Sequence, residues 1–193
     1  MDEAAAGPTG HGQARYDSAA ADAVAFMRTL GAEDMEHPGG TLPQHLQRVS
    51  RLLAAWGARP DLRLAGLCHA FYGTDGFAPS LLPLEARGEL VRRIGADAEE
   101  IVYVYASCDR KVSYREPASE SGTFRDRFTG RTYSPGPRQR RDFAELTAAN
   151  ELDLAGTDPA FREEWGDGLL KLLTRLRPLL SDHAWEHTQK ILT

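Results

Sequence analysis

A chain of 193 residues with 41% hydrophobic and 26% charged side chains fits one folded domain, with or without a tail, and excludes wholesale disorder. Its formal net charge of −5 argues against a nucleic-acid binder working by bulk electrostatics, and no apolar run approaches the roughly 18 residues of a membrane-spanning helix. Two cysteines, Cys68 and Cys108, are too few for a disulfide framework and point to a cytoplasmic setting.

In chain order, the opening MDEAAAGPTGHGQ lacks the basic-then-apolar order of a secretory signal. Residues 1–17, rich in Ala, Gly and polar side chains without periodicity, predict a flexible N-terminal tail. The remainder, 18–193, reads as a single helical domain. Val24, Met27 and Leu30 share a helical face. A turn built from Pro38, Gly39 and Gly40 precedes Thr41, a suitable N-cap. The stripe Leu42, Leu46, Val49, Leu52, Leu53 and Trp56 predicts the next helix, closed by Gly57. Asp61 can cap a third, nearly all apolar helix running to Phe71, which the loop Gly73–Gly76 ends. Leu81–Ile94 and Asp97–Cys108 read as two more helices. Residues 111–137 break the pattern, and Phe124–Tyr133, with its Thr129-Gly130 turn, predicts a small hairpin or an ordered loop. Helical character returns at 139–154 and 166–192, interrupted by Pro178. About eight helices with one long insertion make an all-α fold. The preference for arginine over lysine, with abundant Ala and Gly, is typical of a high-GC bacterial genome.

Histidine placement is the most informative chemical feature. His45 lies near the start of one predicted helix and His69 at the end of the next, with a short turn between them. Antiparallel packing of such a pair brings both imidazoles to one end, where they can bind a metal, shuttle protons or simply hydrogen-bond within the core.

The segments His45-Leu46-Gln47-Arg48-Val49 and Leu64-Ala65-Gly66-Leu67-Cys68-His69-Ala70 resemble the opening of the HD-domain superfamily. Those proteins carry one histidine on a helix, a His-Asp doublet on the next and a distant Asp. The resemblance covers roughly residues 30–155 and implies an HD-like helical bundle. It departs at the doublet, which reads His69-Ala70, and at the distant position, where Asn150 stands in place of Asp. The spacing is similar to that of bacterial alarmone hydrolases of this superfamily. The segments His-Pro-Gly-Gly-Thr-Leu and His-x-x-Tyr-Gly-Thr also resemble an uncharacterised bacterial family of similar size.

In the pocket expected here, His45, His69, Tyr72 and Asp109 carry the chemistry, and Asp75, Asn150 and Arg141 contact the substrate. His45 and His69 can hold one divalent ion, iron, manganese or zinc, if a further ligand arrives. Asp109, Asp75 and His37 are the available ones, Asp109 foremost. Losing both carboxylates weakens any hard-cation site. Whether Asn150 or Asp109 takes the distant position stays open. The function expected is a small-molecule enzyme with a modified pocket; the alternatives are a degenerate ligand- or partner-binding domain and a metal-dependent phosphohydrolase. A homodimer is compatible with either, and neither nucleic acid nor membrane is expected as a partner. Three weaker features remain: His183 and His187 one turn apart, the run Arg138, Arg140 and Arg141, and Cys68 as a nucleophile. Each has a commoner structural explanation in a packed terminal helix, an exposed helix start or a buried thiol.

Overall fold

The computed structural model describes residues 8–115, 118–119 and 122–193. Helix α1 (Pro8–Thr29) starts well before the expected boundary, so residues 8–17 of the expected tail are helical. Residues 1–7 lie outside the described residues. The correction has a tertiary cause. Tyr16 shares a 2.9 Å hydrogen bond with the Ser50 hydroxyl, and the Arg63 guanidinium lies 3.7 Å over its ring. Such contacts to a later segment leave no local periodicity to read.

The turn around Pro38 is a two-stranded hairpin, β1 (Glu36–His37) with β2 (Gly40–Thr41), which pairs His37 with Gly40. Thr41 caps α2 (Leu42–Ala55), its N–H donating to Oε1 of Gln44 at 3.0 Å. Gly57, at φ 79°, turns the chain into α3 (Pro60–Cys68). A Cβ on Gly66 would lie 2.5 Å from Cδ1 of Leu53, so α2 and α3 approach closely because this residue has no side chain.

Helix α4 (Arg87–Ile94) begins later than the apolar pattern predicts. Pro83 disfavours a helical residue before it. The N–H groups of Leu81 and Leu82 both bond to the Phe71 carbonyl, and a 3-10 turn over Leu84–Ala86 follows. Next come α5 (Ala96–Ala106) and the short α6 (Arg110–Ser113). The insertion forms a hairpin, β3 (Phe124–Arg125) with β4 (Thr132–Tyr133), in the register Phe124 to Tyr133. Helices α7 (Pro137–Thr157), α8 (Pro159–Leu176) and α9 (Asp182–Leu192) complete the described residues, with Pro178 in the 3-10 turn between the last two. The fold is all-α, with nine α-helices and two small hairpins among the described residues.

Two apolar cores flank the α2–α3 pair. One joins Met27, Leu46, Phe71, Leu90 and Val102; the other joins Leu53, Trp56, Leu146, Leu152 and Leu173. Helix α7 runs through the second and is buried almost continuously from Ala144 to Ala155. Among the described residues no helix is long and apolar enough to cross a membrane.

Candidate functional site

Helix α7 buries four carboxylates, Asp142, Glu145, Glu151 and Asp153. Each buried charge needs a partner. Asp142 takes Arg59, and Glu145 accepts from the Ser181 N–H. Glu151 lies 3.2 Å from Nη1 of Arg110. Asp153 serves α2: His45 Nδ1 is hydrogen-bonded to its Oδ2 at 2.7 Å, and Arg48 grips both oxygens at 2.7 and 2.9 Å. His45 and Arg48, one turn apart on α2, thus face Asn150 and Asp153, one turn apart on α7.

His45 Nε2 is hydrogen-bonded to Oδ1 of Asn150 at 3.0 Å, while Nδ2 of Asn150 donates to Oε1 of Glu151 at 3.3 Å. Asn150 also lies near the side chain of His69. The three central histidines meet here. The His37 and His45 rings stack with centroids 4.1 Å apart, and His69 stands edge-on to His45 at 5.2 Å. Behind His69, Tyr105 packs edge-on at 5.4 Å.

His69 caps α3 at its C-terminal end, and its Nδ1 lies 2.8 Å from the Gly66 carbonyl. A carbonyl only accepts, so Nδ1 carries the proton and Nε2 of the neutral ring keeps its lone pair. Burial pushes the His69 pKa down to about 3, reinforced by His45 beside it. Burial likewise lowers His37 to about 4, again with His45 adding to the effect. Burial alone would raise Asp153, but the bonds from His45 and Arg48 outweigh it and hold the carboxyl below its usual range.

A cavity of about 150 Å³ opens beside this cluster. Its polar wall presents His37, His69, Thr74, Arg110, Asn150 and Glu151. Its apolar wall is Pro38, Ala70, Phe77, Leu154 and Phe161. The loop after α3 shapes the rim. Asp75 accepts from the Arg110 N–H at 2.9 Å, and Gly76 lies so close that a Cβ would come within 3.0 Å of Arg110 Nη1.

Of the residues expected to carry the chemistry, His45, His69 and Asn150 come together, and Asp75 sits at the rim. The other three do not join them. Tyr72 donates to Glu99 at 2.7 Å, an acid also held by Arg87. Glu99 lies in the first turn of α5 and Tyr105 in its last, about 9 Å apart along the axis, so Tyr72 is committed to the far end of that helix. Asp109 caps α6, accepting from the Val112 N–H at 3.2 Å. Arg141 is exposed near the start of α7, well before Asn150. Asn150, and not Asp109, therefore faces the histidines.

The divalent ion expected on His45, His69 and Asp109 finds no fitting donor set. Both His45 nitrogens are engaged by protein groups. Ala70 and Asn150 stand where the resemblance expects carboxylates. Among the described residues no group of three or more His, Cys, Asp or Glu is placed to hold a metal. The weaker features resolve structurally. Cys68 is fully buried and its thiol pushed up by desolvation. His187 packs edge-on against Trp56 at 5.8 Å, and Arg140 donates to the Pro135 carbonyl at 2.7 Å.

Sequence reasoning overlooked Arg48, Arg110, Glu151 and Asp153 as parts of this site. The usable signal was spacing: Asp153 follows Asn150 by one turn in a stretch rich in Ala and Leu, as Arg48 follows His45. A family model described as "Domain of unknown function (DUF6817)" matches residues 26–110, a stretch that contains His37, His45, His69 and Arg110 but stops short of α7. No curated protein and no solved structure matches the chain.

Proposed function

We propose that this chain is a small-molecule enzyme that works by proton transfer at His69, on a substrate held between the imidazoles and Arg110. What carries the reading is one arrangement: a neutral imidazole on a cavity wall whose tautomer is fixed by the Gly66 carbonyl at 2.8 Å. A ring so fixed offers the Nε2 lone pair to an acidic proton of a bound molecule. The remaining residues act as supports. Asp153 and Arg48 orient His45, His45 and Glu151 orient Asn150, and Asn150 sets the floor against which a ligand rests. Asp75 holds the rim by its bond to the backbone of Arg110.

A second reading, ligand capture without chemistry, is favoured by one observation: a pKa of about 3 makes His69 a weak base. A ligand that brings negative charge beside Nε2 counteracts the desolvation and restores basicity, which is why the catalytic reading is preferred. The test is mass-spectrometric profiling of a mixture of small organic acids and alcohols incubated with the wild-type chain, His69→Gln and His183→Ala. Consumption of one component by wild type and His183→Ala, lost in a folded His69→Gln and unaffected by a chelator, is the expected result. Binding without any consumption would overturn it in favour of capture, and chelator-sensitive turnover would overturn it in favour of metal chemistry.

A further inference from the structure

The Arg110–Glu151 pair lines the cavity. The Arg110 side chain is 28% exposed and that of Glu151 5%. Oε1 of Glu151 is already shared between Arg110 Nη1 and Asn150 Nδ2. The acid is the less exposed of the two, whereas the guanidinium keeps donors to spare on the cavity lining; it carries five N–H groups and stays charged at any ordinary pH. The two lining imidazoles add no positive charge near neutral pH, so the cavity's positive charge is the Arg110 guanidinium, with the Glu151 carboxylate beside it in the lining. Gly76 keeps that charge uncovered, since a side chain there would press on Nη1 at 3.0 Å. Phe77, Leu154 and Phe161 supply apolar surface to the same cavity. A volume of about 150 Å³ admits a molecule no larger than benzene, roughly six non-hydrogen atoms.

From this geometry we infer that the ligand is a small monocarboxylate with a compact apolar body, its carboxylate on Arg110 and its body against Phe77, Leu154 and Phe161. Arginine suits the planar carboxylate, and such a charge-assisted contact strengthens in an enclosed site. The inference rests on the reading of this cavity as a substrate site and names the substrate class.

Isobutyrate and its neutral isostere isobutyramide test it, with inorganic phosphate as a third probe, each titrated into the full chain while the backbone amides of Thr74, Gly76 and Phe77 are followed by NMR. The expected result is isobutyrate binding at least about tenfold more tightly than isobutyramide, a preference lost in Arg110→Gln and kept in Arg110→Lys. Phosphate should bind more weakly than isobutyrate, because it leaves the apolar wall unfilled. Equal binding of isobutyrate and isobutyramide would overturn the carboxylate assignment while leaving a small-molecule site. Phosphate binding more tightly would overturn the apolar-body part. Absence of any response at these amides would overturn both the ligand class and the substrate-site reading. The wild-type comparison decides the matter even if Arg110→Gln fails to fold.

Discussion

His69 joins the chemistry of the site to the stability of the fold. Its pKa is about 3 in the folded chain, below the ordinary 6.5 of an unfolded imidazole. As pH falls through that ordinary value the unfolded ring takes up a proton and the folded ring does not, so acid favours unfolding until the folded value is reached. Between pH 7 and pH 5 the loss from this one residue is about 2 kcal/mol. His37, lowered to about 4, adds in the same direction but less, because it is only half-buried. Urea unfolding at the two pH values should therefore show a marked drop in stability for wild type and a drop smaller by about 2 kcal/mol for His69→Gln. An unchanged pH dependence in that variant would mean that His69 is not the buried neutral base described. His45 and His69 were recognisable from sequence because histidines flanking a short inter-helix turn must end up near each other. Asp109 and Tyr72 were misplaced for the converse reason: their partners, the Val112 N–H and Glu99, are satisfied locally or on another helix end.

At the scale of elements, the bond between α2 and α7 positions everything else. These helices are far apart in the chain and meet through His45 and Arg48 on one side and Asn150 and Asp153 on the other. Asp153→Asn keeps the shape but leaves Arg48 and His45 facing a neutral amide. Removing one member of a buried ion pair costs about 3 kcal/mol or more, and guanidinium unfolding should register that loss. A change within about 0.5 kcal/mol would place Asp153 among surface-like positions. The paired helix α3 adds its own test at Gly66. Gly66→Ala should destabilise by about 1–3 kcal/mol through the clash with Leu53, and combining it with Leu53→Ala should cost less than the two separate changes added together. The existence of α2, α3 and α7 was legible because apolar residues recur at helical spacing. Their contacts were not, since periodicity gives a buried face but no partner for it. The late start of α4 escaped for a related reason: the Leu81 and Leu82 N–H groups go to Phe71, a choice made by tertiary packing.

Over the whole molecule, the all-α class followed from composition and period, while the ends and the depth of the site did not. Residues 8–17 are helical because Tyr16 reaches Ser50 and Arg63, which no window of local sequence contains. The four carboxylates of α7 are buried, each matched by a cation or an N–H from another element. Helix α7 lines the cavity through Asn150, Glu151 and Leu154 and packs into the second core. The proposed chemistry depends on the neutral, tautomer-fixed His69 ring within that assembly. Long-range proton–nitrogen NMR of histidine-labelled protein tests this directly. The expected spectrum assigns His69 a protonated Nδ1 and a bare Nε2, unchanged from pH 7 to pH 5. A His69 ring that titrates near its ordinary value of 6.5, or that carries its proton on Nε2, would contradict the account.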